Sequence, residues 1–101
     1  MSEAGLSATS GSNGNRGWRV EKDGPFLADQ EQLEAEHPRI HEVFAVVERL
    51  FQAIPTLNAS RIDDEKWVYK TRPALGAPSL ILFYEILAAE NTVRLLAAVV
   101  A

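Results

Sequence analysis

Lys70 and Arg72 are the side chains in this sequence whose type and spacing best suit the binding of an anion. They belong to residues 66–72, Lys-Trp-Val-Tyr-Lys-Thr-Arg, in which aromatic or apolar residues alternate with polar ones as in a β-strand. Because successive strand side chains point to opposite faces, Lys70 and Arg72 share one face about 7 Å apart. That spacing suits contact with neighbouring phosphates. Tyr69 lies on the opposite face. The alternative is that the two cations simply solvate an exposed strand face.

Acidic residues and histidines offer a second chemistry, metal binding, which the pattern does not favour. The acids of residues 29–36 are typical of an exposed helix face. The acids of residues 63–65 are consecutive in a loop and point in different directions. His37 and His41 do not make a convincing pair of metal ligands. The sequence therefore predicts no metal site and no cofactor.

Composition restricts the class of protein. The chain has 101 residues, which support one domain. Its net charge of −4 disfavours a free-standing nucleic-acid binder, which is usually basic. It has no cysteine, which excludes disulfides and thiolate chemistry and fits a cytoplasmic protein. The apolar runs are too short for a membrane span, and the first residues lack the features of a signal peptide.

Hydrophobic periodicity divides the chain into a tail and one domain. Residues 1–15 are mostly small and polar, and predict a flexible tail ahead of a single domain at 16–101. The predicted elements are a strand at 17–22, helices at 26–37 and 38–54, a strand at 66–72 and a hairpin at 80–100. The order βααβββ predicts an α+β fold with two N-terminal helices packed on an antiparallel sheet. The first strand is expected to join the edge or the middle of the sheet.

Two of these elements have the strongest patterns. The helix at 38–54 has an apolar stripe at the spacing i, i+3, i+4, i+7, which should lie on the sheet. Its members are Ile40, Val43, Phe44, Val47, Leu50, Phe51 and Ile54. The hairpin consists of two apolar runs separated by a polar break at Glu90 and Asn91. A single long helix is the competing interpretation, and the polar break argues against it.

Three stretches carry a resemblance to a known family. Residues 50–55, Leu-Phe-Gln-Ala-Ile-Pro, close the second helix. Residues 67–72, Trp-Val-Tyr-Lys-Thr-Arg, form the following strand. Residues 82–86, Leu-Phe-Tyr-Glu-Ile, and 90–97, Glu-Asn-Thr-Val-Arg-Leu-Leu-Ala, form the hairpin. In this order and spacing they resemble the RelE/ParE superfamily, the toxins of bacterial type II toxin–antitoxin systems, some of which act in plasmid stabilisation. The resemblance covers about residues 17–101.

The resemblance implies a small protein that inhibits growth unless an antitoxin covers it. In the RelE branch the toxin enters the ribosome and cuts mRNA by attack of the 2′-OH on the adjacent phosphate, which needs cations and a proton donor or acceptor. Lys70 and Arg72 stand where that branch carries strand cations, and are the candidate catalytic residues. Tyr69 and Arg94 are candidates for binding RNA or another target. Tyr84 could handle a proton, although its apolar strand favours a place in the core.

Departures from the family pattern make mRNA cleavage doubtful. The family often carries an Arg at the position of Ile81, and His or Lys followed by Arg at the positions of Val100 and Ala101. These three residues can neither move a proton nor neutralise a phosphate. The sequence is therefore expected to keep the scaffold without the full nuclease set. It could lie nearer to the ParE branch, which poisons DNA gyrase, or be a degenerate member of the superfamily.

The expected partners follow from these alternatives. One is an antitoxin that lays an amphipathic helix or strand across the fold. Another is a target, either the ribosome with its mRNA or DNA gyrase. The alternative function is a small, non-catalytic, oligomerising interaction module, in which an exposed hairpin edge pairs with a second copy as a homodimer.

Overall fold

The computed structural model describes residues 17–101. The elements are β1 (Arg19–Lys22), α1 (Gly24–Glu36), α2 (Ile40–Ala53), β2 (Ser60–Arg61), β3 (Lys66–Lys70), β4 (Leu80–Leu87) and β5 (Thr92–Val100). A short 3-10 turn, Ala88–Glu90, joins β4 to β5, and Asn91 follows it with a left-handed φ of 52°. The hairpin prediction is confirmed, with its break at the predicted polar residues. The predicted flexible tail at 1–15 lies outside the described residues.

The five strands form one sheet in the order β1-β5-β4-β3-β2. Consecutive strands from β2 to β5 pair antiparallel, whereas β1 pairs parallel with β5. The α+β class is confirmed, but the prediction of a wholly antiparallel sheet is wrong. A parallel pair needs a long connection between its strands, and the chain from α1 to β4 supplies it. The helices lie between β1 and β2 in the chain, so the sheet begins before them.

The helices pack on one face of the sheet. From the predicted stripe of α2, Ile40, Phe44, Val47 and Phe51 are buried, Val43 and Leu50 are partly buried, and Ile54 is half exposed. α1 contributes Phe26 and Leu33 to the same core, and Phe26 meets Phe44 edge-on with ring centroids 5.7 Å apart. Burial of this stripe supplies the hydrophobic free energy that fixes α2 on the sheet.

We call the helix-covered side of the sheet the inner face and the other side the outer face. On β3, Trp67 and Tyr69 are on the inner face and pack against the core. Lys70 is on the outer face, directly opposite Ile81 of β4. The predicted strand is thus confirmed for residues 66–70, where the regular strand ends.

β2 is a strand of two residues, both exposed, and sequence periodicity did not predict it. Ser60 pairs with Val68 and Arg61 with Trp67. Asn58 precedes β2 with a left-handed φ of 57°, within the turn through which the chain arrives from α2. The edge of β3 is therefore covered for only part of its length.

Candidate functional site

A groove opens at the end of β3 farthest from β2. It has a volume of about 500 Å³ and lies between α2, the β3 edge and the loop that follows β3. We call it the β3 groove. Its lining residues are Val43, Val46, Val47, Asn58, Tyr69, Lys70, Thr71, Arg72, Ala74 and Leu75. The groove therefore combines an apolar wall from α2 with the two cations that the sequence singled out.

Thr71 fixes the end of β3 that borders this groove. Its backbone N–H donates to the carbonyl of Leu80 at 2.9 Å, and its hydroxyl accepts the N–H of Leu80 at 2.9 Å. Thr71 is buried, so both hydrogen bonds are protected from water. This double contact holds β3 against β4 beyond Lys70, which positions Lys70 and Arg72 on either side of a rigid point.

The loop after β3 is closed by a tight turn. The N–H and carbonyl groups of Ala74 and Ala77 exchange two hydrogen bonds at 2.8 and 3.2 Å. The two residues between them, Leu75 and Gly76, have φ of 57° and 77°. Positive φ at both central positions defines a type I′ turn, which usually carries Asn-Gly. Leu75 adopts this conformation against its own steric preference and places an apolar side chain at the groove, 40% exposed.

Lys70 and Arg72 are both exposed, and neither forms an ion pair with any residue in 17–101. Two like charges on one strand face repel each other. Lys70 faces Ile81 across the sheet, and Ile81 faces Val99. Among residues 17–101 no carboxylate pairs with either cation, so Lys70 and Arg72 leave a local positive charge in an otherwise acidic chain.

The two tyrosines have different surroundings. Tyr69 is half-buried, lines the β3 groove and meets Phe51 edge-on with centroids 5.7 Å apart. Tyr84 is fully buried, and its hydroxyl donates to the carbonyl of Pro55 at 2.6 Å. Burial raises the pKa of Tyr84, with a smaller contribution from Tyr69. Tyr84 is thus a core residue whose hydroxyl proton is engaged in a buried hydrogen bond. Of the two tyrosines, only Tyr69 lines the groove, where it can contact a ligand.

Arg94 lies apart from the groove, in a row of ion pairs across the outer face. Its guanidinium lies 3.5 Å from a carboxylate oxygen of Glu85 and 3.6 Å from one of Glu21. Lys66 continues the row beyond Glu85 at 3.8 Å, and Arg19 continues it beyond Glu21 at 3.4 Å. The structure therefore brings Tyr69, Lys70 and Arg72 together and places Arg94, two strands away, among carboxylates.

Of the positions that depart from the family pattern, only Ile81 adjoins β3, whereas Val100 and Ala101 are at the end of β5, beyond β4. Ile81 is the direct neighbour of Lys70, so the place where a further cation was expected is apolar. Val100 pairs with Leu80, and the backbone N–H of Ala101 donates to the carbonyl of Ser79 at 2.9 Å. The end of β5 thus meets the sheet through backbone contacts and small or apolar side chains. It adds no titratable side chain near Lys70.

Sequence reasoning missed the groove wall and the row of ion pairs. Val46 is 64% exposed and lines the groove. It lies outside the apolar stripe of α2, and an apolar residue off the stripe was the available signal. The ion pairs join residues from four strands, so no local pattern could reveal them. The hairpin edge proposed for dimerisation is not free, because β4 and β5 are both inner strands of the sheet.

Two further observations concern the described residues as a whole. Residues 17–101 bring no three His, Asp or Glu side chains together in an arrangement that could hold a metal ion. Neither α1 nor α2 has the length and apolarity that crossing a membrane requires.

Comparison with protein-family models and with curated proteins found no match to this chain.

Proposed function

We propose that this chain is the toxin component of a bacterial type II toxin–antitoxin module similar to the RelE/ParE superfamily. It acts in the cytoplasm by binding, and not by cutting mRNA. The observation that carries the proposal is the β3 groove, in which Lys70 and Arg72 lie beside Tyr69 and have no ion-pair partner within residues 17–101. The α+β class and the packing of both helices on one face of the sheet support it, because the resemblance implies a fold of this class.

The chemistry of the groove argues against catalysis. Attack by a 2′-OH needs a base, an acid for the leaving oxygen and cations on the phosphate. Among the described residues no His, Asp or Glu lines the groove, so it lacks the side chains that most often act as general base and acid. Ile81 occupies the neighbouring position where the family often has an Arg. Cations without a proton-transfer pair can hold an anionic partner but give little acceleration.

Two kinds of partner follow from this proposal. An antitoxin covers the fold and suppresses its effect on growth. The target is part of the translation machinery or DNA gyrase, and Lys70 and Arg72 contribute to its binding. We assign Arg94 no part in this binding, because its guanidinium lies beside the carboxylates of Glu85 and Glu21.

The test is induced expression of the full chain in a bacterial host, with growth, cleavage of a reporter mRNA on translating ribosomes and DNA supercoiling followed in parallel. The double variant Lys70→Ala, Arg72→Ala is compared with Arg49→Ala. Arg49 is the matched control because it is exposed on α2, has no ion pair within 17–101 and does not line the groove.

We expect wild type and Arg49→Ala to arrest growth without cutting mRNA, and the double variant to lose the arrest. Cleavage of mRNA by the wild type would refute the non-catalytic part of the proposal. Normal growth with the wild type expressed and folded would refute the toxin assignment. Arrest that survives in the double variant would show that the groove is not the site.

A further inference from the structure

The edge of β3 beside the groove carries unused backbone hydrogen-bonding groups. The backbone of Lys66 faces β2, because its carbonyl accepts the N–H of Ile62 at 2.8 Å. The backbone of Thr71 faces β4, because its N–H donates to Leu80. Since these groups alternate along a strand, those of Lys70 and the N–H of Arg72 face the β2 side. β2 covers β3 only as far as Val68, so no residue in 17–101 pairs with them.

An extended segment added at this edge would pair with β3 beyond Val68 and lie beside Asn58, which precedes β2 and lines the groove. Main-chain hydrogen bonds to Lys70 and Arg72 would supply affinity, as in strand addition generally. On the added strand, the two side chains opposite Lys70 and Arg72 would lie on the outer face of the sheet, as those cations do. The side chain of the residue between them would point to the inner face. Val46 and Val47 of α2 lie on that inner side, and Leu75 lines the same groove. The edge therefore fits a segment with alternating chemistry.

The charges of Lys70 and Arg72 discriminate between a second copy of the chain and an acidic peptide as the segment bound at this edge. A second copy pairing its own β3 edge about a two-fold axis would set Lys70 and Arg72 opposite like charges, which is destabilising. A segment with carboxylates at the two outer positions would instead neutralise both cations, which have no ion-pair partner within 17–101. The exposed Val46 and the strained, exposed Leu75 give the intervening apolar side chain its surface.

We propose that the open edge of β3 binds an extended peptide of the pattern acidic–apolar–acidic, which adds as a strand and places its apolar side chain in the β3 groove. The inference deepens the proposed function, on which it rests for the biological role of the groove, by stating the chemistry of the protein partner. The peptide chemistry itself depends only on the edge, the groove and the two cations.

The experiment uses the purified full chain and a short, end-capped peptide in which Glu and Val alternate. Binding is followed by backbone amide NMR. The first control peptide has the same composition with its Glu and Val residues in separate blocks. Two further versions carry N-methyl groups, either on the amides that would face β3 or on the alternate amides that would face away. Oligo-uridine is titrated separately as a phosphate-bearing competitor.

We expect the alternating peptide to bind, and hydrogen exchange at the Lys70 and Arg72 amides to slow. Methylation of the amides facing β3 should abolish binding, whereas methylation of the other amides should not. The double variant Lys70→Glu, Arg72→Glu should weaken binding on the order of tenfold, as loss of two partly exposed ion pairs implies, and Arg49→Glu should not. Val46→Asp, at an exposed position, should also weaken it.

Three results would overturn the inference: equal binding of the block peptide, equal effects of the two methylation patterns, or tighter binding of oligo-uridine than of the peptide. A concentration-dependent doubling of mass, lost in the Lys70→Glu, Arg72→Glu variant, would assign the edge to a second copy and also overturn it. Failure of peptide binding together with growth arrest that depends on Lys70 and Arg72 would refute only this inference. The proposed function would then stand without it.

Discussion

Substitution of Tyr84 tests whether its hydroxyl is a buried, hydrogen-bonded group of the core, in contrast to the hydroxyl of Tyr69 in the groove. Tyr84 is fully buried, and among residues 17–101 its hydroxyl is the only donor to the carbonyl of Pro55. Tyr84→Phe removes this 2.6 Å hydrogen bond and leaves a buried carbonyl unpaired, which costs about 1–2 kcal/mol of unfolding free energy. For a domain of this size that loss lowers the melting temperature by roughly 5–15 °C.

The same substitution has a defined pH dependence. Burial raises the pKa of Tyr84 in the folded protein above the value of about 10 of an unfolded tyrosine. The protonated hydroxyl therefore makes its full contribution to the free energy of unfolding below pH ~10. That contribution is lost as the pH rises from there towards the pKa of Tyr84 in the folded protein. Wild type should lose about 1.4 kcal/mol of stability per pH unit through this group above that point. Tyr84→Phe lacks that loss, so the stability difference between the two proteins narrows.

Chemical and thermal unfolding followed by circular dichroism between neutral pH and pH ~11 measures both effects. Tyr69→Phe is the matched control, because Tyr69 also contacts Phe51 but its hydroxyl makes no hydrogen bond within 17–101. We expect Tyr69→Phe to unfold close to wild type. Equal melting temperatures for Tyr84→Phe and Tyr69→Phe would refute the assignment of Tyr84 to a buried, hydrogen-bonded core position.

Three further perturbations test other parts of the fold. Leu75→Asn should raise stability in a thermal melt by about 1 kcal/mol by relieving the left-handed backbone, and no gain would contradict the strain at this turn. Asp63 accepts N–H groups from Lys66 and Glu65, which lower its pKa, so its contribution is present above pH ~4 and is lost as the pH falls below that value. In acid titrations followed by circular dichroism, Asp63→Asn should lose less stability than wild type over that range. Arg94→Met should cost about 1 kcal/mol in a denaturant titration by unbalancing Glu85, and a deficit unchanged in high salt would contradict the ion-pair account.

Local patterns predicted those elements whose burial follows a period. The stripe of α2 and the break at Asn91 are examples, because helical spacing and a turn residue are read from neighbouring positions. The parallel pairing of β1 was not predicted, because its partner β5 is remote in sequence and a short half-buried strand has no signature of direction. The two exposed residues of β2 lack an apolar pattern altogether.

The candidate site divides in the same way. The alternation of residues 66–72 predicted that Lys70 and Arg72 share a face, because side chains two apart on a strand point the same way. The regular strand ends at Lys70, and both residues line the same groove. The groove depends on where β2 ends and on how α2 and the turn at Leu75 pack against the edge of β3. These are features of the tertiary structure, so local sequence patterns could not predict the groove. Arg94 was separated from the other candidates for the same reason, since its carboxylate partners come from β1 and β4.

The most direct test that the β3 groove is the functional site is growth after induced expression. It compares the double variant, which carries both Lys70→Ala and Arg72→Ala, with the control variant Arg49→Ala. Both proteins must first be shown to fold, which the exposure of all three side chains favours. We expect Arg49→Ala to arrest growth as the wild type does, and the double variant to grow normally. Equal arrest by the two variants would contradict the assignment of function to this groove.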